Sequence, residues 1–116
     1  MAITQHESGT RTAGTPPEAG FTALNTTNPD TTDGVYQFFV DVSAMARGDA
    51  IEVQVLEKCT GSGDTARVVF GSYMANQMDE PMWVSPSIIL MHGWTFQLKQ
   101  TAGTARSFPW SIRKIA

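Results

Sequence analysis

From residue 35 onward, apolar residues recur at every second position, and this alternation limits the possible fold more than any other feature of the chain. In the first run, Tyr36, Phe38 and Val40 share one face. Gln37 and Asp41 share the opposite face. Successive side chains of a β-strand point to opposite sides of a sheet, so this spacing predicts strands with one buried and one solvated face.

Turn-forming residues divide the rest of the chain into similar short runs. The predicted strands are Val35–Val42, Ile51–Leu56, Thr65–Met74, Met82–Ser85, Ser87–Met91, Trp94–Lys99 and Phe108–Ile112. About seven short strands separated by turns are typical of an antiparallel β-sandwich, with a barrel as the alternative, and the fold class is therefore all-β. The predicted core residues are Phe38, Val40, Val53, Val55, Trp94, Phe96 and Leu98.

Two local expectations accompany these strands. Ser43–Arg47 could form one helical turn, with Ser43 as its cap and Gly48 as its stop. The run Ser87–Met91 is apolar throughout its centre, which is the pattern of a strand buried on both faces.

Residues 1–34 differ in composition from the rest and predict an extended or disordered N-terminal arm, followed by a β-sandwich domain over 35–116. The arm is rich in Thr, Gly and Pro, and its sizeable apolar residues are Ile3, Phe21 and Leu24. Burying three such side chains gains roughly 1.5–3 kcal/mol each. Ordering each residue of the arm costs about 1–2 kcal/mol. We therefore expect the arm to become ordered on a neighbouring protein, with these three residues as its anchors.

The charge balance and the cysteine content exclude several classes of protein. The formal net charge is −3, whereas nucleic-acid binders usually carry a basic excess, so no nucleic-acid partner is expected. The first residues lack the pattern of a signal peptide, and the longest aliphatic run, residues 88–91, is far too short to span a membrane. A single cysteine, Cys59, cannot form an internal disulfide. We expect a protein made in a reducing cytoplasm, without a membrane partner.

No catalytic or metal-binding pattern stands out, and the chain is predicted not to be an enzyme and to need no cofactor. The possible soft metal ligands, His6, His92 and Cys59, lack the spacing of a zinc site. Cys59 could pair in space with His92, but a strand-end cysteine and a turn histidine account for both. Asp79 and Glu80 are adjacent residues of one loop, whose side chains usually point apart.

The three tryptophans allow a binding platform for sugars as well as a core. Trp94 and Trp110 alternate with other apolar residues and are predicted to be buried. Trp83 lies in a short run between Pro81 and Pro86 and is the candidate for an exposed contact residue.

Several phrases of the sequence, taken in order over residues 33–115, resemble small virion proteins of tailed bacteriophages. They are Asp33-Gly-Val-Tyr-Gln, Val42–Asp49, Glu57-Lys58, Trp83-Val-Ser-Pro, Leu90-Met-His-Gly-Trp94, Leu98-Lys-Gln-Thr-Ala-Gly-Thr104 and Phe108-Pro-Trp-Ser-Ile-Arg113. None of them is a catalytic signature, and no functional residues of such a family can be transferred to this chain.

The resemblance implies a non-enzymatic structural protein of the virion, assembled in the host cytoplasm. Its expected role is capsid decoration or cementing, with the major capsid protein or other virion proteins as partners and with homo-oligomers formed by neighbouring copies. Two alternatives remain open: a neck or tail component of the virion, and a small carbohydrate-binding or adhesion module that uses Trp83.

Overall fold

The computed structural model describes residues 2–115, which form nine β-strands in two antiparallel sheets. The strands are β1 (Ile3–Thr12), β2 (Thr22–Ala23), β3 (Gly34–Asp41), β4 (Ala50–Glu57), β5 (Arg67–Ala75), β6 (Met82–Val84), β7 (Ile88–Leu90), β8 (Trp94–Ala102) and β9 (Ser107–Ile115). The predicted all-β sandwich is confirmed, and the seven strands predicted from residue 35 correspond to β3–β9.

Each sheet combines strands from distant parts of the chain. The first sheet has the order β1-β9-β3, and the free side of β3 pairs with β7 near its start and with β6 near its end. The second sheet has the order β2-β8-β4-β5. The strands β6 and β7 therefore act as one interrupted edge strand, which is broken at residues 85–87.

The core lies between the two sheets and contains the inward side chains of both. All seven predicted core residues are buried, with exposed fractions of 2 % or less. Trp94 and Trp110 are buried as predicted. Trp94 packs against Tyr36 and Phe38, with ring centroids 4.6 and 5.9 Å apart. Alternating aromatic and aliphatic residues thus supply one continuous core.

The predicted helical turn at Ser43–Arg47 is wrong, because two consecutive β-turns occupy this segment. The Met45 N–H donates to the Val42 carbonyl over 3.1 Å, and the Asp49 N–H donates to the Ala46 carbonyl over 3.0 Å. Gly48 has a φ of 95°, a left-handed conformation that glycine adopts readily. The two turns carry the chain from β3 in the first sheet to β4 in the second.

The prediction that Ser87–Met91 is covered on both faces is also wrong. Leu90 is buried and Ile88 packs against the core, but Ile89 is 76 % exposed and Met91 is 51 % exposed. The strand β7 belongs to the edge of a two-layer structure, so only one of its faces has a second layer to pack against.

The two strands of the N-terminal segment, β1 and β2, lie on the sheets of their own chain. The strand β1 pairs with β9 over its whole length, and β2 pairs with β8. The His6 side chain hydrogen-bonds the Asp30 carboxylate over 2.7 Å, and Arg11 forms an ion pair with Glu18. These main-chain and polar contacts explain the difference from the expected free arm, because counting apolar anchors alone omits them.

Candidate interaction surface

The three predicted arm anchors do not form one site. Leu24 is 8 % exposed and belongs to the core, where its N–H donates to the Phe96 carbonyl over 2.7 Å. Phe21 is half-buried beneath Lys99, whose Nζ lies 4.6 Å from the ring centroid. Ile3 is 68 % exposed. Of the three, Ile3 is therefore the one that presents most of its side chain to a partner.

Trp83 is half-buried, so it differs from a freely exposed contact residue. It extends from β6 toward β5, and its ring centroid lies 6.0 Å from that of Phe70. Its side chain packs against the core and fills the gap between the edges of the two sheets. One face of the indole is therefore committed to packing, which weakens its assignment as a sugar-stacking platform.

The outer face of the first sheet carries a row of four aliphatic side chains, which we name the aliphatic row. Ile3 on β1 pairs with Ile115 on β9. Ile115 pairs with Val35 on β3, and Val35 pairs with Ile89 on β7. Side chains at paired positions share a face, and this face is opposite to the one that carries Tyr36. The row therefore crosses four strands at one level of the sheet.

The members of the aliphatic row are exposed to different degrees. Ile3 and Ile89, at the two ends, are 68 % and 76 % exposed, while Val35 and Ile115 in the middle are partly exposed. Scattered single apolar residues are normal on a protein surface, but a contiguous set across a sheet is typical of an interaction site.

A shallow groove lies on the same face, toward the other end of the strands. Its open volume is about 410 Å³, and its lining includes Phe39, Met82, Pro109 and Arg113. The Arg113 guanidinium lies 3.7 Å from the centroid of the Phe39 ring, within the range of a cation–π contact. The groove thus offers apolar surface with one fixed cation.

One carboxylate balances this cation. Asp41 lines the groove, and hydrogen bonds from the Ser43 side chain and backbone hold the pKa of that carboxyl below its usual value. The lining also includes Gln5, Ser8, Thr10 and Ser111, so a partner would meet apolar and polar surface together, with the two charges fixing its orientation.

The residues considered for catalysis lie on three loops, and two of these loops meet: the loop that contains Cys59 lines a shallow pocket together with His92. Cys59 is exposed and free of disulfide bonds. Asp79 and Glu80 are exposed on the loop between β5 and β6. Within residues 2–115, no group of three or more His, Cys, Asp or Glu is arranged to hold a metal ion. The same residues include no helix of sufficient length and apolarity to cross a membrane.

The aliphatic row was missed by the sequence analysis except for Ile3. Its other members come from strands far apart in the chain, and their alignment depends on the register of three strand pairs. The apolar run at residues 88–91 was a signal for Ile89, but a short apolar run alone does not tell which faces are covered.

The fold places the chain among all-β proteins built as a two-sheet antiparallel sandwich. Comparisons with protein-family models, with curated protein sequences and with solved structures find no match to this chain. The resemblance to phage virion proteins therefore rests on the sequence phrases alone.

Proposed function

We propose that the protein is a non-enzymatic structural component of a tailed-phage virion, which decorates the head shell by binding the major capsid protein and neighbouring copies. The observation that carries this proposal is the aliphatic row on the outer face of the first sheet. The exposure of Ile3 and Ile89 at its ends leaves apolar surface that a partner protein would cover.

Further exposed apolar residues on the same edge support a docking role for this sheet. Met82 and Val84 on β6 are 46 % and 42 % exposed. They lie beside the groove and pair with Asp41 and Phe39 of β3. Specific interfaces combine an apolar centre with a few charges, and the aliphatic row with the groove provides that combination.

The low charge of the body fits repeated copies on one lattice. Residues 35–116 carry no formal net charge, and the folded chain with its N-terminal strands carries only −3. Electrostatic repulsion between adjacent copies is correspondingly small. Weak contacts repeated over many copies would add up to firm attachment of the whole layer.

The test is to purify the particles made by the phage genome that encodes this chain and to search for the protein by mass spectrometry. The Ile89→Asp variant places a charge in the aliphatic row and should be lost from the particles. The Val69→Asp variant is the matched control, because Val69 is 47 % exposed on β5 of the second sheet. It should be incorporated like the wild type.

Circular dichroism of both variants establishes that they fold, which their exposed positions lead us to expect. Absence of the wild-type protein from purified particles would overturn the virion role. Normal incorporation of the Ile89→Asp variant would overturn the assignment of the outer face of the first sheet as the binding surface.

A further inference from the structure

The outer face of the second sheet carries two parallel rows of side chains that cross its strands. The upper row is aromatic at both ends and charged in the middle. It begins at Phe21, just before β2, and continues through Lys99 and Glu52 to Tyr73 on β5. The lower row is small at both ends and carries two amides in the middle, and it contains Ala23, Gln97, Gln54 and Gly71.

The lower row forms a trough, which we name the amide trough. Gly71 has no side chain and Ala23 has a short one, so both ends of the row are low. The open space lies over β4 and β5, between Phe21 and Tyr73, is lined also by Glu52, Gln54 and Gly71, and measures about 300 Å³. A Cβ added at Gly71 would come no closer than 3.7 Å to any neighbouring atom. The glycine is therefore not required by close packing, and its effect is to keep this end of the trough open.

Gln54 lines the open space of the amide trough and is hydrogen-bonded to Gln97, which lies next to it on β8. Gln54 Nε2 donates to Gln97 Oε1 over 2.8 Å. This bond uses one donor and one acceptor, whereas each amide has two donors and two acceptor lone pairs. Both side chains are held in place by the bond and can still donate to and accept from a ligand with paired hydroxyl groups.

The upper row supplies an aromatic wall without net charge. The Tyr73 side chain is 62 % exposed on β5. Lys99 Nζ and Glu52 Oε2 lie 3.9 Å apart and form an ion pair, so their opposite charges cancel at this wall. An aromatic ring presents an apolar face with a polar edge, which suits a ligand whose two faces are C–H groups and whose rim is polar.

From these features we infer that the amide trough binds a neutral oligosaccharide. Fixed amides would hydrogen-bond the sugar hydroxyls, and the Tyr73 ring would pack against the C–H face of a sugar ring. The rows span three strand spacings, or about 14 Å, which exceeds the size of a single sugar ring. An extended peptide would need a free sheet edge along the strands, whereas this trough crosses the strands.

The proposed sugar site is separate from the proposed assembly surface, because the two lie on the outer faces of different sheets. It also uses residues other than Trp83. The failure of either proposal would therefore leave the other untouched.

The experiment begins with a screen of the wild-type protein against immobilised neutral and uronate-containing oligosaccharides. We expect retention of a neutral oligosaccharide. Its affinity is then measured by isothermal titration calorimetry for the wild type and for Tyr73→Ala, Gln54→Ala and Gly71→Val. Loss of the aromatic wall, loss of a trough amide and filling of the trough should each weaken binding about tenfold or more.

Gln5→Ala removes an exposed amide from the first sheet and is the control with unchanged affinity. Trp83→Ala tests the competing tryptophan platform, and circular dichroism first checks that this variant folds, because Trp83 packs against the core. Gly71→Val is expected to fold, because valine is favoured in strands and a Cβ at this position would lie at least 3.7 Å from every neighbouring atom.

Three results would overturn the inference. The first is that no neutral oligosaccharide, or only uronate-containing ones, is retained by the wild type. The second is binding that persists unchanged in both Tyr73→Ala and Gly71→Val. The third is binding that is lost in Trp83→Ala alone.

Discussion

The Asp49 carboxylate holds together two connections that are distant in the sequence. Asp49 is 2 % exposed. Its Oδ2 accepts hydrogen bonds from the Ala46 N–H and from Arg106 Nε, both over 2.8 Å. Its Oδ1 accepts from the Thr104 N–H over 2.9 Å. One side chain thereby joins the turn before β4 to the loop between β8 and β9, which crosses from one sheet to the other.

We expect the Asp49→Asn variant to lower the free energy of unfolding at pH 7 by about 1–3 kcal/mol, because the amide NH₂ would face N–H donors. Urea denaturation measures the difference. Asp41→Asn is the matched control, since Asp41 accepts from the Ser43 N–H within its own turn over 2.9 Å. Asp41→Asn should therefore change the free energy of unfolding by no more than about 0.5 kcal/mol. Equal losses in both variants would contradict the role assigned to Asp49.

The difference in unfolding free energy between the wild type and Asp49→Asn should depend on pH. Burial raises the pKa of Asp49, but the hydrogen bonds from Ala46, Thr104 and Arg106 lower it by more. The pKa in the folded protein therefore lies below its usual value of 3.8. A carboxyl with a depressed folded-state pKa stabilises the protein above its unfolded-state pKa, and this contribution is lost as the pH falls through the folded-state pKa. The gap between wild type and Asp49→Asn should therefore be constant near neutrality and narrow below about pH 4. A gap that stays constant down to pH 2.5 would contradict this assignment.

At the level of the elements, the two N-terminal strands, β1 and β2, are held in place by different interactions. The strand β1 has mostly exposed side chains and is held by its pairing with β9. The segment that contains β2 instead inserts Leu24 into the core. The two parts should therefore respond differently when an apolar side chain is shortened.

We expect Leu24→Ala to lower the free energy of unfolding by about 2–5 kcal/mol, because it leaves a cavity in the core. Ile3→Ala should change it by no more than about 0.5 kcal/mol, since Ile3 is 68 % exposed. Urea denaturation followed by tryptophan fluorescence compares the two. Similar small effects for both would mean that Leu24 is not a core residue in solution.

The alternation of apolar residues predicted β3, β4, β8, β9 and the central core, because the period of a strand is a local property of the chain. The strands β5–β7 were instead placed by the turn residues around them and by a continuous apolar run. The strand β1 lacked this signal: in Ile3–Thr12 the single large aliphatic side chain is Ile3, and the strand is defined by main-chain pairing. The two outer faces were not predictable for a related reason. The aliphatic row and the amide trough each align residues from several strands, and that alignment is fixed by register and strand order.

At the level of the whole molecule, the N-terminal segment contributes to both sheets. It supplies β1 to the first sheet and β2 to the second, and the strands they pair with, β9 and β8, come from the C-terminal part of the chain. The stretch from Leu24 to Asp30 also lies along β8, where Leu24 and Asp30 donate to the carbonyls of Phe96 and Trp94 over 2.7 and 2.9 Å. The two ends of the chain therefore stabilise each other.

This arrangement predicts that the N-terminal segment and the sandwich unfold together in one cooperative transition. Tryptophan fluorescence, which reports on the buried Trp94, and far-UV circular dichroism should give coincident urea curves. By native-state hydrogen exchange, the amides of Leu24 and Asp30 should be as protected as those of β8, while loop amides such as that of Gly61 exchange early. If Leu24 and Asp30 instead lose protection at lower urea than β8, the segment is a separate arm that the core does not require, and the division of the chain at residue 34 would be restored.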